Sequence, residues 1–182
     1  LVELIGTSQD EDTRMQAVDI LEEIGQDNPV AIQALVELIG TSQDELTRCI
    51  AADILEEIGK DNLVAIQALV ELIGTSKDEY TRMQAADNLG EIGKGNPVAI
   101  QALVELIGTS QDELTRCIAA DSLGKIAKDN PVAIQALVEL INTSQHEDTC
   151  REAADSLGKI SKDNPVVIQA LVELIRNSGD KF

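Results

Sequence analysis

Few side chains in this 182-residue chain are of types that do chemistry, and their spacing argues against most of it. His146 is the single histidine, so a Ser-His-Asp or Cys-His relay could run through no other residue. Cys150 follows four residues later, about one helical turn on. Two ligands do not make a zinc site, and no other Cys or His is placed to complete one. The 33 Asp and Glu residues show no calcium-loop spacing. Adjacent pairs such as Glu22-Glu23 and Glu56-Glu57 read as solvated helix faces, with no neighbours to shift their ionisation. The glycines form no phosphate-cradling loop. These residues predict no catalytic group, no metal, no cofactor and no enzyme.

Charge narrows the partners. With 14 Lys and Arg against 33 acidic residues the net charge is −19. Nucleic acid and anionic membrane need clustered basic residues, and none are clustered here. The acidity instead favours solubility or a basic partner. No apolar run approaches the roughly 20 residues of a membrane span. The cysteines, Cys49, Cys117 and Cys150, are expected to be free thiols. The first two sit two repeats apart, about 20 Å if each repeat advances by one helix diameter, and this points to a reducing, cytoplasmic setting.

What must position any working residue is a repeat. Leu-Val-Glu-Leu-Ile begins at residues 1, 35, 69, 103, 137 and, with Leu171, once more, each step being 34 residues. Segments 41–74 and 109–142 are identical at 28 of 34 positions. Each unit reads as two helices. Helix A of the first unit spans about Asp10 to Ile24, with Ala17, Val18, Leu21 and Ile24 on one stripe. Gly25 is expected to close it with a positive φ. Asn28-Pro29 then pairs a strong N-cap with a residue suited to the first helical turn, and helix B follows with Ile32, Leu35 and Ile39 inward. Ser42 to Glu45 has the form of a capping box, although Asp44 could equally be the cap. Strand signals are absent. The expected organisation is a severed helix at 1–6 followed by repeats 7–40, 41–74, 75–108, 109–142 and 143–176, stacked so that neighbours bury one another's remaining apolar face.

A 34-residue period is the tetratricopeptide length, but that family's large aromatics are missing: the chain has one Tyr, one Phe and no Trp. Asp44-Glu45-Leu46-Thr47-Arg48, then Ala51-Ala52, Leu55 and Ile58-Gly59, resembles the HEAT repeat, particularly the short HEAT-like type of phycobilisome lyases. The later Ala85-Ala86, Leu89-Gly90 and Ile92-Gly93 carry the pattern most fully, and it departs in placing Thr where Val usually precedes the Arg. The resemblance implies an all-α superhelical solenoid whose B helices line the concave side.

Three residue sets follow. Asp10/Arg14, Asp44/Arg48, Asp78/Arg82 and Asp112/Arg116 are expected to cap helix A and to run as a ladder of charge-assisted bonds; in the fifth unit both members change, to His146 and Cys150. Helix B presents Gln33/Glu37, Gln67/Glu71, Gln101/Glu105, Gln135/Glu139 and Gln169/Glu173 outward, a floor that could hold a basic or extended protein. Helix A carries the differences: Leu46, Cys49 and Ile50, then Tyr80 and Met83, then Leu114, Cys117 and Ile118 are read as outward, a candidate convex contact patch. The favoured function is a non-catalytic protein-interaction scaffold cut from a longer array, with Val166 and Val167 at the last helix pointing to end-to-end self-association. A bilin-lyase subunit or chaperone, by resemblance alone, and an engineered consensus scaffold are the alternatives.

Overall fold

The start of each long helix is dictated by a side-chain oxygen. In a computed structural model, which describes residues 1–26, 28–161, 164–165, 167–169 and 171–172 (but not the side chains of Glu11 and Arg14), the described residues form ten α-helices. These are α1 (Val2–Thr7), α2 (Glu11–Ile24), α3 (Pro29–Thr41), α4 (Glu45–Ile58), α5 (Leu63–Thr75), α6 (Glu79–Ile92), α7 (Pro97–Thr109), α8 (Glu113–Ile126), α9 (Pro131–Thr143) and α10 (Glu147–Ile160). Residues 165, 167–169 and 171–172 are helical as well. From α2 onward the even-numbered helices are A helices and the odd-numbered are B helices.

Each B helix begins at an Asn. The Oδ1 of Asn28, Asn62, Asn96 and Asn130 accepts from the two backbone N–H groups that open the helix, for example Val64 N at 2.9 Å and Ala65 N at 3.2 Å. Losing the Pro at Leu63 leaves α5 the same length as the others. Each B helix ends in an extended Ser, and the hydroxyl of Ser42 accepts from Asp44 N, so Asp44 is the cap of α4 and Ser42 forms the turn before it. Loops of three residues (42–44) and four residues (59–62) then fix the helix directions.

Close packing follows from small residues at fixed offsets. Ala51, Ala52, Ala119 and Ala120 are fully buried, beside Leu55, Ile58, Leu69 and Leu123. The chain divides into two compact units, Leu1–Gly93 and Lys94–Phe182. Within the first, α3 packs along α4, α5 along α6, α3 beside α5 and α4 beside α6. Within the second, α7 packs along α8, α9 along α10, α7 beside α9 and α8 beside α10. This is the neighbour-only pattern of an all-α repeat solenoid. The cap signals do not reveal that the closest antiparallel neighbours are a B helix and the A helix after the three-residue turn; α4 and α5, joined by the longer loop, approach far less. Stacking does the burying: Ile54 and Ile58, in α4 with α2 packed beside it, are fully buried, whereas Ile20 and Ile24 of α2 are exposed.

One local expectation is overturned. Gly25 closes α2 with φ −87° and Gly59 closes α4 with φ −112°, so neither is left-handed. A Cβ on Gly59 would stand 2.9 Å from the Ala65 Cβ, whereas the equivalent residue closing α8 is Ala127. The positive φ falls two residues later, at Asp61 (60°), Gly95 (69°) and Asp129 (54°). That residue turns the chain toward the Asn cap. In the second unit its amide also serves the stack, because Gly95 N donates to Ile126 O and Asp129 N to Ile160 O, the last carbonyls of the A helices beyond.

An Asp in this region is strained where Gly is not. Asp61→Gly and Asp129→Gly are expected to raise stability by about 0.5–1 kcal/mol each, read as a higher thermal midpoint by circular dichroism. A drop in midpoint would show that the Asp side chains stabilise the turn.

Candidate functional site

Three surfaces could be functional, and the A-helix starts are the most tightly built. Asp10, Asp44, Asp78 and Asp112 each cap an A helix by accepting from the backbone N–H three residues on. The same oxygen accepts the hydroxyl of that third residue: Thr47 Oγ1 lies 2.5 Å from Asp44 Oδ2, Thr81 Oγ1 2.8 Å from Asp78 and Thr115 Oγ1 3.0 Å from Asp112, with Thr13 bonded likewise to Asp10. This accounts for Thr in place of Val before the Arg. The hydroxyl is buried with the core, and the cap satisfies it.

The arginines are held by the residue after the cap. Arg48 pairs with Glu45 at 2.9 Å, Arg116 with Glu113 at 2.6 Å and Arg82 with Glu79; the Arg14 side chain lies outside the described residues. Within each helix the described arginine therefore pairs with the Glu three residues before it, while the Asp four residues before it caps the helix. Arg48 also donates through Nε to Ile39 O at 3.0 Å, at the negative end of α3, and through Nη2 to Thr75 Oγ1. Glu45 accepts in turn from Ser76 Oγ at 2.8 Å. The link thus runs from one B–A turn to the next. In the second unit Glu113 does the same for Ser144 and Thr149. Burial opposes ionisation of Glu113, but the hydrogen bonds from Thr149, Arg116 and Ser144 outweigh it and its carboxyl lies below the usual range.

His146 and Cys150 are weaker copies of this arrangement. His146 gives α10 no side-chain cap. Thr149 turns its hydroxyl to Glu113 instead, and the Cys150 thiol stands 3.7 Å from Ile141 O, the position Arg48 serves in α4. Among the described residues no three His, Cys, Asp or Glu side chains are grouped to hold a metal, and no helix is long and apolar enough to cross a membrane. The three cysteines are free thiols.

The second surface is the outer side of the B helices. Gln33, Glu37, Gln67, Glu71, Gln101, Glu105, Gln135, Glu139 and Gln169 are exposed, as expected; Glu173 lies outside the described residues. Gln67 Nε2 donates to Glu71 Oε1 at 3.2 Å and Gln101 Nε2 to Glu105 Oε1 at 3.0 Å, which holds both side chains along the helix. Sequence reasoning missed the apolar part of this face. Val30, Val64, Val98 and Val132 are exposed at the second residue of each B helix, and Val36, Val70, Val104 and Val138 are half-buried one and a half turns on. Their invariance at positions off the Ile32/Leu35/Ile39 stripe was the available signal. Gly40, Gly74 and Gly108 face open space, so nothing in the fold excludes a methyl group there. Grooves result between successive B helices. One of about 490 Å³ includes Val36, Gly40, Ala68 and Glu71, with Arg48 and Thr75 at its end. Another of about 340 Å³ is lined by Val104, Pro131, Val132, Gln135, Ala136 and Glu139.

The third surface is the outward stripe of the A helices. Leu46, Tyr80 and Leu114 are exposed at 57%, 59% and 58%, while Ile50, Met83, Ile118 and Cys117 are half-buried. Cys49 does not face outward: it is buried, and desolvation followed by the Asp53, Asp78 and Glu45 charges pushes its thiol up to about 12, leaving it unreactive. Acidic side chains along the A helices are not simply solvated either. Desolvation raises Glu22, reinforced by Glu57, Asp19 and Asp53, and raises Glu56, reinforced by Glu57. Asp53 is raised by burial despite hydrogen bonds from Asn88 (3.0 Å) and Gln84. At the equivalent place in the second unit burial also opposes ionisation, but Lys159 at 2.7 Å and Lys125 at 3.2 Å hold Asp121 below the usual range.

The profile of HEAT repeats matches the chain over residues 41–124, 67–149 and 109–182. No curated protein matches it.

Two consequences can be measured. His146→Asp with Cys150→Arg should rebuild the cap and the carbonyl contact and stabilise α10 by about 1–2 kcal/mol; an unchanged urea midpoint would show that the Thr149–Glu113 bond already compensates. For Asp53 the folded carboxyl is raised, so its stabilising effect is present at low pH and is lost as pH rises through the folded value. Asp53→Asn, which keeps the acceptor for Asn88, should therefore raise the melting temperature at pH 7, and the gain should fade by about pH 4.

Proposed function

The chain belongs to the HEAT repeat family, whose repeats generally mediate contacts between proteins, and on that premise we propose that it is a non-catalytic scaffold holding an extended, basic protein segment along its B helices. The observation that carries this reading is a groove between successive B helices in each unit: between α7 and α9 it has Val104, Val132 and Ala136 with Gln135 and Glu139, and between α3 and α5 it has Val36, Ala68 and Glu71 with Arg48 and Lys77 also in its lining.

Each part of the groove suits a peptide. The valines and Ala136 offer apolar contact to alternate side chains. Beside the grooves, on the same outer side of the B helices, Gln67 and Gln101 are already ordered by their glutamates and offer amide donors and acceptors with little further entropy to lose. Glu71 and Glu139 attract Lys or Arg, and the net charge of −19 steers a basic chain toward the whole molecule. Gly40 lets a main chain come close at a helix end.

The test is affinity capture of partners on the full chain, followed by binding measurements with the captured protein. Charge reversal on the B face, Glu71→Lys with Glu105→Lys, is expected to lower affinity by more than about tenfold. Binding that survives this change and is lost only on substitutions elsewhere would take the partner off the B helices.

A further inference from the structure

We propose that the α3/α5 groove recognises a pattern within the extended segment: a Lys or Arg and, four residues away, an Asp or Glu, with an apolar residue midway. The inference rests on the B-helix reading and deepens it, by giving one groove a sequence to select.

The charges of the lining set the pattern. Glu45, Arg48, Glu71 and Lys77 line this groove. Two of them answer each other: Arg48 lies 2.9 Å from Glu45 Oε1, and Glu45 Oε2 accepts from Ser76. Glu71 is exposed, and its carboxylate is met by the neutral Gln67 amide. Lys77 is exposed, and among the described residues it has no hydrogen bond or ion pair. The carboxylates that follow it in the chain are engaged elsewhere, since Asp78 caps α6 through Thr81 and Glu79 pairs with Arg82. The groove thus offers an anion on α5 and a cation at the turn beyond it.

The fold does not require that cation. The same turn position holds Gln9, Gln43, Gln111 and Gln145 in the other repeats, each exposed. Lys77 is the one basic residue among the five, in a chain of net charge −19. The α7/α9 groove has Glu139 as its charged lining residue and no cation. A positive charge therefore distinguishes one groove from the other, and its natural complement is a carboxylate.

Spacing follows from backbone geometry. From Glu71 to Thr75 the helix rises about 6 Å, and the two further residues to Lys77 add up to about 7 Å. An extended segment covers about 13 Å in four residues, and residues two and four apart share one face. A cation over Glu71 and a carboxylate at Lys77 then leave the midway side chain on the same face, toward the floor that Val36 and Ala68 provide.

The test uses the full chain and a labelled peptide, N-acetylated and C-amidated, with Lys-Ser-Val-Ser-Glu between Lys-Ser flanks. Binding is read by fluorescence anisotropy at physiological salt. This peptide is expected to bind about two- to fivefold more tightly than one with Gln in place of Glu, the range of an exposed ion pair. Lys77→Gln, which copies the residue of the other repeats, should fold normally and remove the difference, and Lys77→Arg should keep it. Glu71→Lys with Glu105→Lys should weaken both peptides by more than about tenfold. Equal binding of the Glu and Gln peptides, or a preference that persists in Lys77→Gln, would overturn the proposal. If both peptides still depended on Glu71 and Glu105, the B-helix reading would survive that result. No measurable binding of either peptide, or binding indifferent to the double change, would overturn both readings. A Gln peptide with a free C-terminal carboxylate that gained the Lys77-dependent preference would assign Lys77 to a chain terminus and overturn the internal pattern.

Discussion

An oxygen placed over the free N–H groups at a helix start is the interaction on which the rest of this structure depends. Helices of 13 and 14 residues are marginal alone, and their first amides need acceptors. Asn supplies the acceptor for the B helices α3, α5, α7 and α9, and Asp for the A helices α2, α4, α6 and α8. Because each cap starts a helix at a fixed residue, the loops stay at three and four residues and the period stays at 34. A slip of one residue in any loop would rotate the following helix by about 100° and turn its apolar stripe out of the stack. Capping therefore sets register, and register sets burial.

The Glu/Arg network extends the same principle from one helix to the next. Arg48 ties together three groups: the Ile39 carbonyl, the Glu45 carboxylate and the Thr75 hydroxyl. Glu45 passes the link to Ser76. A planar guanidinium with five donors can do this, and a lysine could not. The loss at His146 and Cys150 is correspondingly instructive. Both the cap and the cation vanish, yet α10 keeps its 14 residues, because Glu113 reaches forward to Thr149 and the Ala153, Leu157 and Ile160 core remains. Local capping defines where α10 begins, while packing keeps it folded.

Most of the fold was legible because these rules are local. Helix ends, caps, the core stripe and the 34-residue unit all follow from residues within a few positions of one another, and so does the exposure of the Gln/Glu ladder. What was not legible depends on which helices meet. Spacing allows Asp44 to pair with Arg48, and only the backbone shows that Asp44 faces the amide of Thr47 while Glu45 faces the Arg. Cys49 shares the outward part of a helical wheel with Leu46, but it is buried. The positive φ was assigned to the glycine at the helix end, whereas the turn places it two residues later, where Asp can stand. The valines of the B face escaped notice because Val is read as core until its neighbours are known.

The division of labour between the helices has a physical basis. A B helix such as α3 or α9 packs along an A helix and beside another B helix, so its inward residues are constrained on several sides and its copies scarcely differ. On the A helices the inner stripe is equally constrained, and Ala51, Leu55 and Ile58 have close equivalents throughout. The outermost positions of the A helices are less constrained by neighbours. There Leu46, Tyr80 and Leu114 stand where Asp12 and Asp148 also stand. Folding is satisfied by either chemistry, so stability alone does not explain exposed Leu and Tyr at three of five copies. More than half of each of these side chains is left uncovered by the fold, so further burial must come from outside it. In this protein, difference between copies is therefore the better guide to a specific partner, and sameness is the guide to the stack.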